Sequence, residues 1–315
     1  MRLLIILILF LAYTAQAQKK IAITIDDLPT VSKVYRSPSG RLQLTKKLLS
    51  HCTTFQVPAI GFVIGNSLLA NHQPDSSQIN LLKLWLDASF ELGNHTLAHK
   101  DYNLISFSES KEDIIDGEQI VKNLVQQRGK PFRYFRHPYL RKGDTQAKKD
   151  SLEHFLQQRG YLEAPVTIDN SDWLFSGAYD NAILLGDTTL ATQVGKQYVA
   201  YMLNCVAYYE AQSDSLFNRQ ISQTLLLHAN TINADFLGEL LAGLKQQGYT
   251  FVSLEHALTD NAYQSVDHFY GKGGISWLHR WALTRGKRGT FFKGEPEVPA
   301  MIDELANRTL NLPSR

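Results

Sequence analysis

Only two cysteines, Cys52 and Cys205, occur in 315 residues, so at most one disulfide can form and a disulfide-stapled scaffold is excluded. Excess charge is also missing. Thirty-two Lys and Arg face 30 Asp and Glu, a balance that argues against nucleic acid or an anionic membrane surface as the main partner. The basic run "RGKRG" (Arg285–Gly289) reads as a solvated loop. Beyond the N-terminus no apolar run approaches the ~20 residues of a membrane-crossing helix, so no stable membrane insertion is expected. Neither an internal repeat nor a Pro/Gly/Ser linker interrupts the chain from Lys19 to about Asn261, which favours one continuous domain. With 44% hydrophobic and 20% charged residues, the composition is that of a globular protein able to bury a large core.

What is present begins with "MRLLIILILFLAYTAQAQKK": Arg2, an apolar run from Leu3 to Ala12, then Ala15-Gln16-Ala17. This is the layout of a secretory signal peptide cleaved after Ala17, predicting a secreted or periplasmic protein. Cleavage removes one Arg and no acid, leaving 31 basic against 30 acidic residues.

Short β-rich runs then alternate with longer amphipathic ones. Strands are expected at Ile21–Ile25, Ala59–Ile64, Phe90–Gly93, Phe132–Phe135, Val166–Ile168, Thr224–Leu227 and Thr250–Ser253. Helices are expected at Leu42–Phe55, Ser77–Ala88, Ser110–Gln127, Gln146–Gln158, about Asp187–Ala211, and Asp235–Gln247. Gly129 and Gly248 stand where two of these helices should stop. Seven strands separated by helices predict an α/β fold with a parallel sheet, closed or nearly closed into a barrel, with a doubly wound open sheet as the alternative. After Leu254 the pattern changes, and residues 261–315 read as an appendage on a barrel spanning 18–260, ending in a helix near Pro299–Asn307.

Reactive groups of a βα barrel gather where strands end. Here the first strand ends in Asp26 and Asp27, and the third runs into "NHTLAH" with His95 and His99. The fourth ends in "RHPY" with Arg136, the fifth in "DNSDW" with Asp169, Asp172 and Trp173, and the sixth at His228. Each has a plain alternative: Asp27 and Pro29 shape a turn, Asp169 and Asp172 cap a helix, His228 is a satisfied core histidine. Five such accidents at five successive strand ends is the weaker account. The His95/His99 spacing is expected to put both rings on one face of a helical turn. Two histidines and one carboxylate form the donor set of a zinc-like ion with an open position, which polarises a carbonyl and activates water. One aspartate then suffices as ligand and the other is free to act as base, with an arginine to hold it ionised and a histidine opposite to donate a proton.

Five ordered motifs, "TIDD" (Thr24–Asp27), "HTLAH" (His95–His99), "RHPYL" (Arg136–Leu140), "DNSDW" (Asp169–Trp173) and "LLH" (Leu226–His228), resemble those of the NodB-like polysaccharide deacetylases of carbohydrate esterase family four. The resemblance implies a distorted (β/α)7 barrel that hydrolyses N-acetyl groups of a glycan with a divalent metal, Zn or else Co or Ni. It implies Asp26 as base, Asp27, His95 and His99 as metal ligands, and Arg136 holding Asp26. His228 becomes the acid, tuned by Asp169 or Asp172. Pro138 and Tyr139 meet the substrate, the Tyr139 N–H lying in the oxyanion hole, and Trp173 and Leu226 wall the acetyl pocket.

The chain departs from the family at Leu28 and Leu140, where glycine is usual, and at Ala229, where an acid is common. Both leucines are expected to reshape the mouth. The substrate is expected to be an acetylated glycan of the peptidoglycan, chitin or exopolysaccharide kind. Competing expectations are a de-O-acetylase on the same scaffold, a non-catalytic glycan-binding barrel, and a metal-free glycosidase with paired carboxylates.

Overall fold

A computed structural model describes residues 18–310, so the signal peptide expected at residues 1–17 lies outside the described residues. β1 (Lys19–Val31) leads to α1 (Pro38–Thr54), β2 (Ile60–Val63), a small hairpin of β3 (Leu69–Ala70) and β4 (Gln73–Pro74), α2 (Ser76–Asp87), β5 (Glu91–Asn94) and α3 (Phe107–Gln126). Then come β6 (Tyr134–Phe135), α4 (Gln146–Gln158), β7 (Leu162–Glu163), α5 (Asp172–Leu184), α6 (Thr188–Phe217), β8 (Gln223–Asn230) and α7 (Thr231–Gln246). β9 (Tyr249–Phe251), α8 (Leu254–Leu258), α9 (Trp277–Thr284) and α10 (Ala300–Asn307) complete the order.

Seven strands form one parallel sheet in the order β7-β6-β5-β2-β1-β8, with β9 paired to the start of β1. Beyond β7 the chain swings across to β8, where Ile168 bridges Leu225, and the sheet curls into the distorted (β/α)7 barrel that the motifs imply. The strand expected at Val166–Ile168 is split: β7 pairs earlier, and Pro165, lacking an N–H, interrupts the ladder before Ile168 resumes it.

β1 reads as continuously apolar because it is covered on both faces. Ile21, Ile23 and Ile25 are buried in the main core with Leu44, Leu48, Trp85 and Leu241 of the surrounding helices. Thr24 and Asp26, of opposite parity, meet Arg136. α1 starts at Ser37, whose hydroxyl accepts from Gly40 N–H, and α3 at a Ser106/Glu109 capping box. Gly129 and Gly248 take left-handed φ of +66° and +86°, as expected of helix stops.

Three sequence expectations need correction. No helix was expected between Trp173 and Asp187, yet α5 fills that stretch. Phe175, Ser176, Ala178, Tyr179, Asp180, Asn181 and Ala182 are all buried, so burial all round erases the period of 3.6. Leu28 does not shape the mouth: it is fully buried, and a Cβ on Gly61 would lie 2.4 Å from its Cδ2, so the bare backbone of β2 makes its room. Leu140 is also buried, although it still borders the site.

Past Leu258 the chain stays in contact with the barrel. Trp277, Leu278 and Trp281 join the main core, Trp277 N–H donates to Val166 O (2.7 Å), and Ser276 Oγ donates to Thr167 O (2.7 Å). α10 packs on α5, where Asn181 Nδ2 donates to Leu305 O. Cys52 and Cys205 are buried and unpaired. Among the described residues no helix is long and apolar enough to cross a membrane.

Candidate active site

Parallel pairing brings the strand ends to one rim. Asp26 on β1 is the register partner of His228 on β8, and β5 runs from Asn94 directly into His95. Between them lies a pocket of about 600 Å³ whose lining includes Asp26, Asp27, His95, His99, Trp173 and His228.

The "HTLAH" segment is not a helical turn. Thr96 and His99 have left-handed φ of +64° and +51°, and side chains hold them there. Thr96 N–H donates to Asn94 Oδ1, His99 N–H to Thr96 Oγ1, and Ala98 N–H to Asp113 Oδ1. Leu97 N–H donates to the Asp113 carbonyl in α3. The rings still meet, with centroids 4.7 Å apart. Asp27, also left-handed at φ +61°, places its Oδ1 3.5 Å from His95 Nε2 and 3.7 Å from His99 Nε2.

These three donors fit a divalent ion. One atom from each lies within 4.8 Å of the others, and Asp27 Oδ1 is buried without a hydrogen-bond partner. His95 Nδ1 can only donate to the Arg136 carbonyl, 2.9 Å away, which leaves Nε2 with a free lone pair. Burial, reinforced for His95 by the neighbouring His99, holds both imidazoles below their usual pKa and so in the neutral form that ligation requires. The backing of this turn is tight: a Cβ on Gly117 of α3 would sit 2.3 Å from the Thr96 carbonyl carbon. Gly117→Ala is therefore expected to weaken affinity for an added divalent ion by roughly tenfold or more, measured by competition with a chelating dye.

Beside the ligands stands Asp26, 3.7 Å from His95 Nε2 and 3.7 Å from Arg136 Nε. Arg136 is wholly buried and its NH2 donates to Thr24 Oγ1 at 2.7 Å, so it faces Asp26 through space rather than by a hydrogen bond. Burial pushes the Asp26 carboxyl up to about 6, against the pull of Arg136.

On the neighbouring strand β8, His228 lines the same pocket. Its Nδ1 donates to Asp172 Oδ1 at 2.5 Å, while Asp172 Oδ2 accepts from His228 N–H and from Asn233 Nδ2. Burial alone would depress the imidazole, but the Asp172 charge and hydrogen bond raise it to about 10. Asp169 is not that partner. It stands at the mouth, raised to about 7 by burial and by Glu295 beyond it. A carboxyl held up and an imidazole held charged thus line the same pocket as the donor triad.

Tyr139, Trp173 and Leu226 line the pocket, Trp173 more than half exposed at the rim, whereas Pro138 is buried and outside the lining. Arg136 and Asp172 lie behind Asp26 and His228. Sequence reasoning missed five lining residues: His137, Arg141, Asn170, Ser171 and Gly274. His137, Asn170 and Ser171 lie inside the quoted motifs and Arg141 adjoins one, so all four were within reach; Gly274 lies far from any and carries no side chain to signal it.

Residues 14–154 match the family model described as polysaccharide deacetylase, a stretch that contains the first three motifs and ends before the last two. The chain is 24% identical over 242 residues to a bifunctional xylanase/deacetylase of Pseudobutyrivibrio xylanivorans, covering 76% of this chain but only 30% of that protein. It is 27% identical over 224 residues to an uncharacterized 30.6 kDa protein of Geobacillus stearothermophilus, covering 70% of this chain and 68% of the other. Among solved structures it is similar in fold to a carbohydrate esterase family four pseudoenzyme from Bacillus anthracis, with a TM-score of 0.51 and 16% identity over 77% of this chain and 66% of that one. A mutant of that pseudoenzyme with restored enzymatic activity gives a TM-score of 0.51 at 17% identity, over 77% of this chain and 68% of that one.

Proposed function

We propose that the chain is a polysaccharide deacetylase of the carbohydrate esterase family four kind and that it hydrolyses N-acetyl groups of a glycan, a reading supported by the family model matched over residues 14–154 and by the ordered motifs that continue beyond it. The observation that carries this reading is one pocket lined by Asp26, by Asp27, His95 and His99 with donor atoms within 4.8 Å of one another, and by His228, whose Nδ1 donates to the buried Asp172.

In this mechanism Asp27, His95 and His99 would hold a divalent ion, zinc by their donor chemistry, with cobalt or nickel as substitutes. When bound, the ion polarises the acetyl carbonyl and makes water a nucleophile at neutral pH. Asp26 takes the proton of the attacking water, with the Arg136 charge beside it favouring the carboxylate. The Tyr139 N–H stabilises the oxygen that gains charge. His228, protonated at neutral pH, gives its proton to the departing amine, and Asp172 keeps it charged and oriented. Trp173 and Leu226 wall the acetyl group, and Pro138 shapes the loop behind Tyr139. Residues 18–260 form the catalytic barrel and 261–315 its appendage; residues 1–17 direct the chain to the periplasm or outside the cell.

The glycan is of the peptidoglycan, chitin-oligomer or exopolysaccharide kind. Ester hydrolysis makes the same demands except for protonating an amine, and a histidine kept charged to about 10 favours the amide. Acetate release should be assayed on those three polymers, with N- and O-acetylated sugars in parallel. Release is expected from at least one N-acetylated polymer, lost on adding chelator and restored by zinc or cobalt. Metal binding without acetate from any substrate would leave a glycan-binding barrel instead, and chelator-insensitive sugar cleavage would leave a glycosidase.

A further inference from the structure

Tyr139 and Leu140 both have φ of +55°, and two consecutive left-handed non-glycine residues persist only where their surroundings impose it. The loop's own hydrogen bonds are few: Leu140 N–H donates to His137 O and Arg141 N–H to Pro138 O. Its flanks are also held by Glu163, about twenty residues on, and by chain more than a hundred residues further on. Lys142 Nζ, nearly buried, lies 2.7 Å from Glu163 Oε1 and 3.6 Å from Asp267 Oδ2, and His137 Nε2 lies 2.7 Å from the same Glu163 oxygen. Arg280, also buried, donates from Nε to Asp267 Oδ2 at 2.8 Å and from NH2 to Phe269 O at 2.9 Å. Gly271 N–H donates to Gly143 O. Midway along this strap Gly274 lies flat against the loop, where a Cβ would fall 1.6 Å from the Tyr139 carbonyl oxygen.

We propose that the segment from Asp267 to Arg280, outside the stretch matched to the family, positions Tyr139, with Gly274 as the positioning residue that presses on its carbonyl and Asp267 anchoring the loop's C-terminal end. The two contacts act together. Lys142 and His137 fix the flanks, and the bare backbone at 274 leaves room for one orientation of the Tyr139 peptide. A side chain there pushes on the Tyr139–Leu140 peptide and, by rotating the Tyr139 backbone that joins it to the preceding peptide, shifts the Tyr139 N–H at the reacting oxygen. At Gly273 the space is open, the nearest atom to an added Cβ being Ile275 Cγ2 at 3.6 Å. The inference rests on the proposed role of Tyr139 in acetyl transfer to water.

The test compares wild type, Gly274→Ala, Gly273→Ala and Asp267→Asn holoenzymes by kcat and KM for acetate release, metal content, and amide hydrogen exchange over residues 138–143. Gly274→Ala is expected to lose about ten- to a hundredfold in kcat with KM and metal content unchanged. Exchange over the loop should quicken by about tenfold, while Gly273→Ala matches wild type. Asp267→Asn is expected to show the same pattern more weakly, and it decides the matter should Gly274→Ala fail to fold. Wild-type kcat and exchange in Gly274→Ala, or in Asp267→Asn where that variant decides, overturn the proposal, as does an equal loss in Gly273→Ala. If the wild type releases no acetate, the deacetylase reading falls by itself, and loop exchange alone then judges the positioning.

Discussion

Asp26→Asn protein is expected to release acetate on the order of 10²–10⁴-fold more slowly than wild type while folding at least as well. The rate falls because the amide has the carboxylate's shape but cannot take a proton. Stability moves the other way through linkage. Burial holds the folded carboxyl at about 6 against an ordinary value of 3.8, so the folded metal-free chain binds this proton more tightly than the unfolded one. Stability from this group is therefore complete below about pH 4 and is lost as pH rises through 6. At pH 7.5 the ionised side chain costs up to about 3 kcal/mol, which the neutral asparagine avoids. Thermal melts of both proteins in chelator at pH 7.5, set beside acetate release with zinc, check the two directions together. An asparagine variant with wild-type turnover would remove Asp26 from the role of base.

Asp172→Asn should cut acetate release at pH 7 by roughly 10²-fold and move the alkaline limb of the pH profile downward. The acid must be protonated, and His228 stays so to about 10 because Asp172 outweighs the burial that would otherwise depress it. With that charge and hydrogen bond gone, burial is opposed only by Asp27 and Asp26, and the imidazole loses its proton at a lower pH than in the wild type. The limb thus shifts toward acid, so the variant recovers part of its activity as pH falls, until Asp26 protonates. A pH–kcat profile of both proteins reads this, and an unmoved alkaline limb would exclude His228 as the acid. Asp169→Asn, by contrast, changes a mouth residue with no bond to the imidazole and should leave the limb in place.

The strand-end rule made the dyad, both histidines and His228 legible because it depends on local signals, apolar runs and the polar residues that close them. What it left open was settled by long-range packing. Whether Asp169 or Asp172 turns toward His228 depends on Asn233, which lies beyond another helix and holds Asp172 Oδ2 at 2.7 Å. The leucine at 28 looked like a change of mouth because its partner, the bare backbone of Gly61, is invisible without the β1–β2 register. α5 escaped because a helix buried on every side carries no polar stripe. The helical turn expected of "HTLAH" gave way to a bent segment because Asn94, Thr96 and Asp113 offer its backbone nearer partners than a helix would.

The pairing of β1 with β8 also sets an order of events in time. Thr24 Oγ1 donates to the Leu225 carbonyl across 201 residues of chain, and Asp26 has His228 as its neighbour across the same gap. The first strand to emerge during synthesis therefore waits for nearly the whole barrel before its ladder is complete. Loop closure over such a distance makes that step slow, and until it occurs β1, already paired with β2 on one side, keeps its other edge open. The carboxylate and the histidine come together only in the same late step, so acquisition of activity in a refolding experiment should coincide with completion of the sheet rather than precede it.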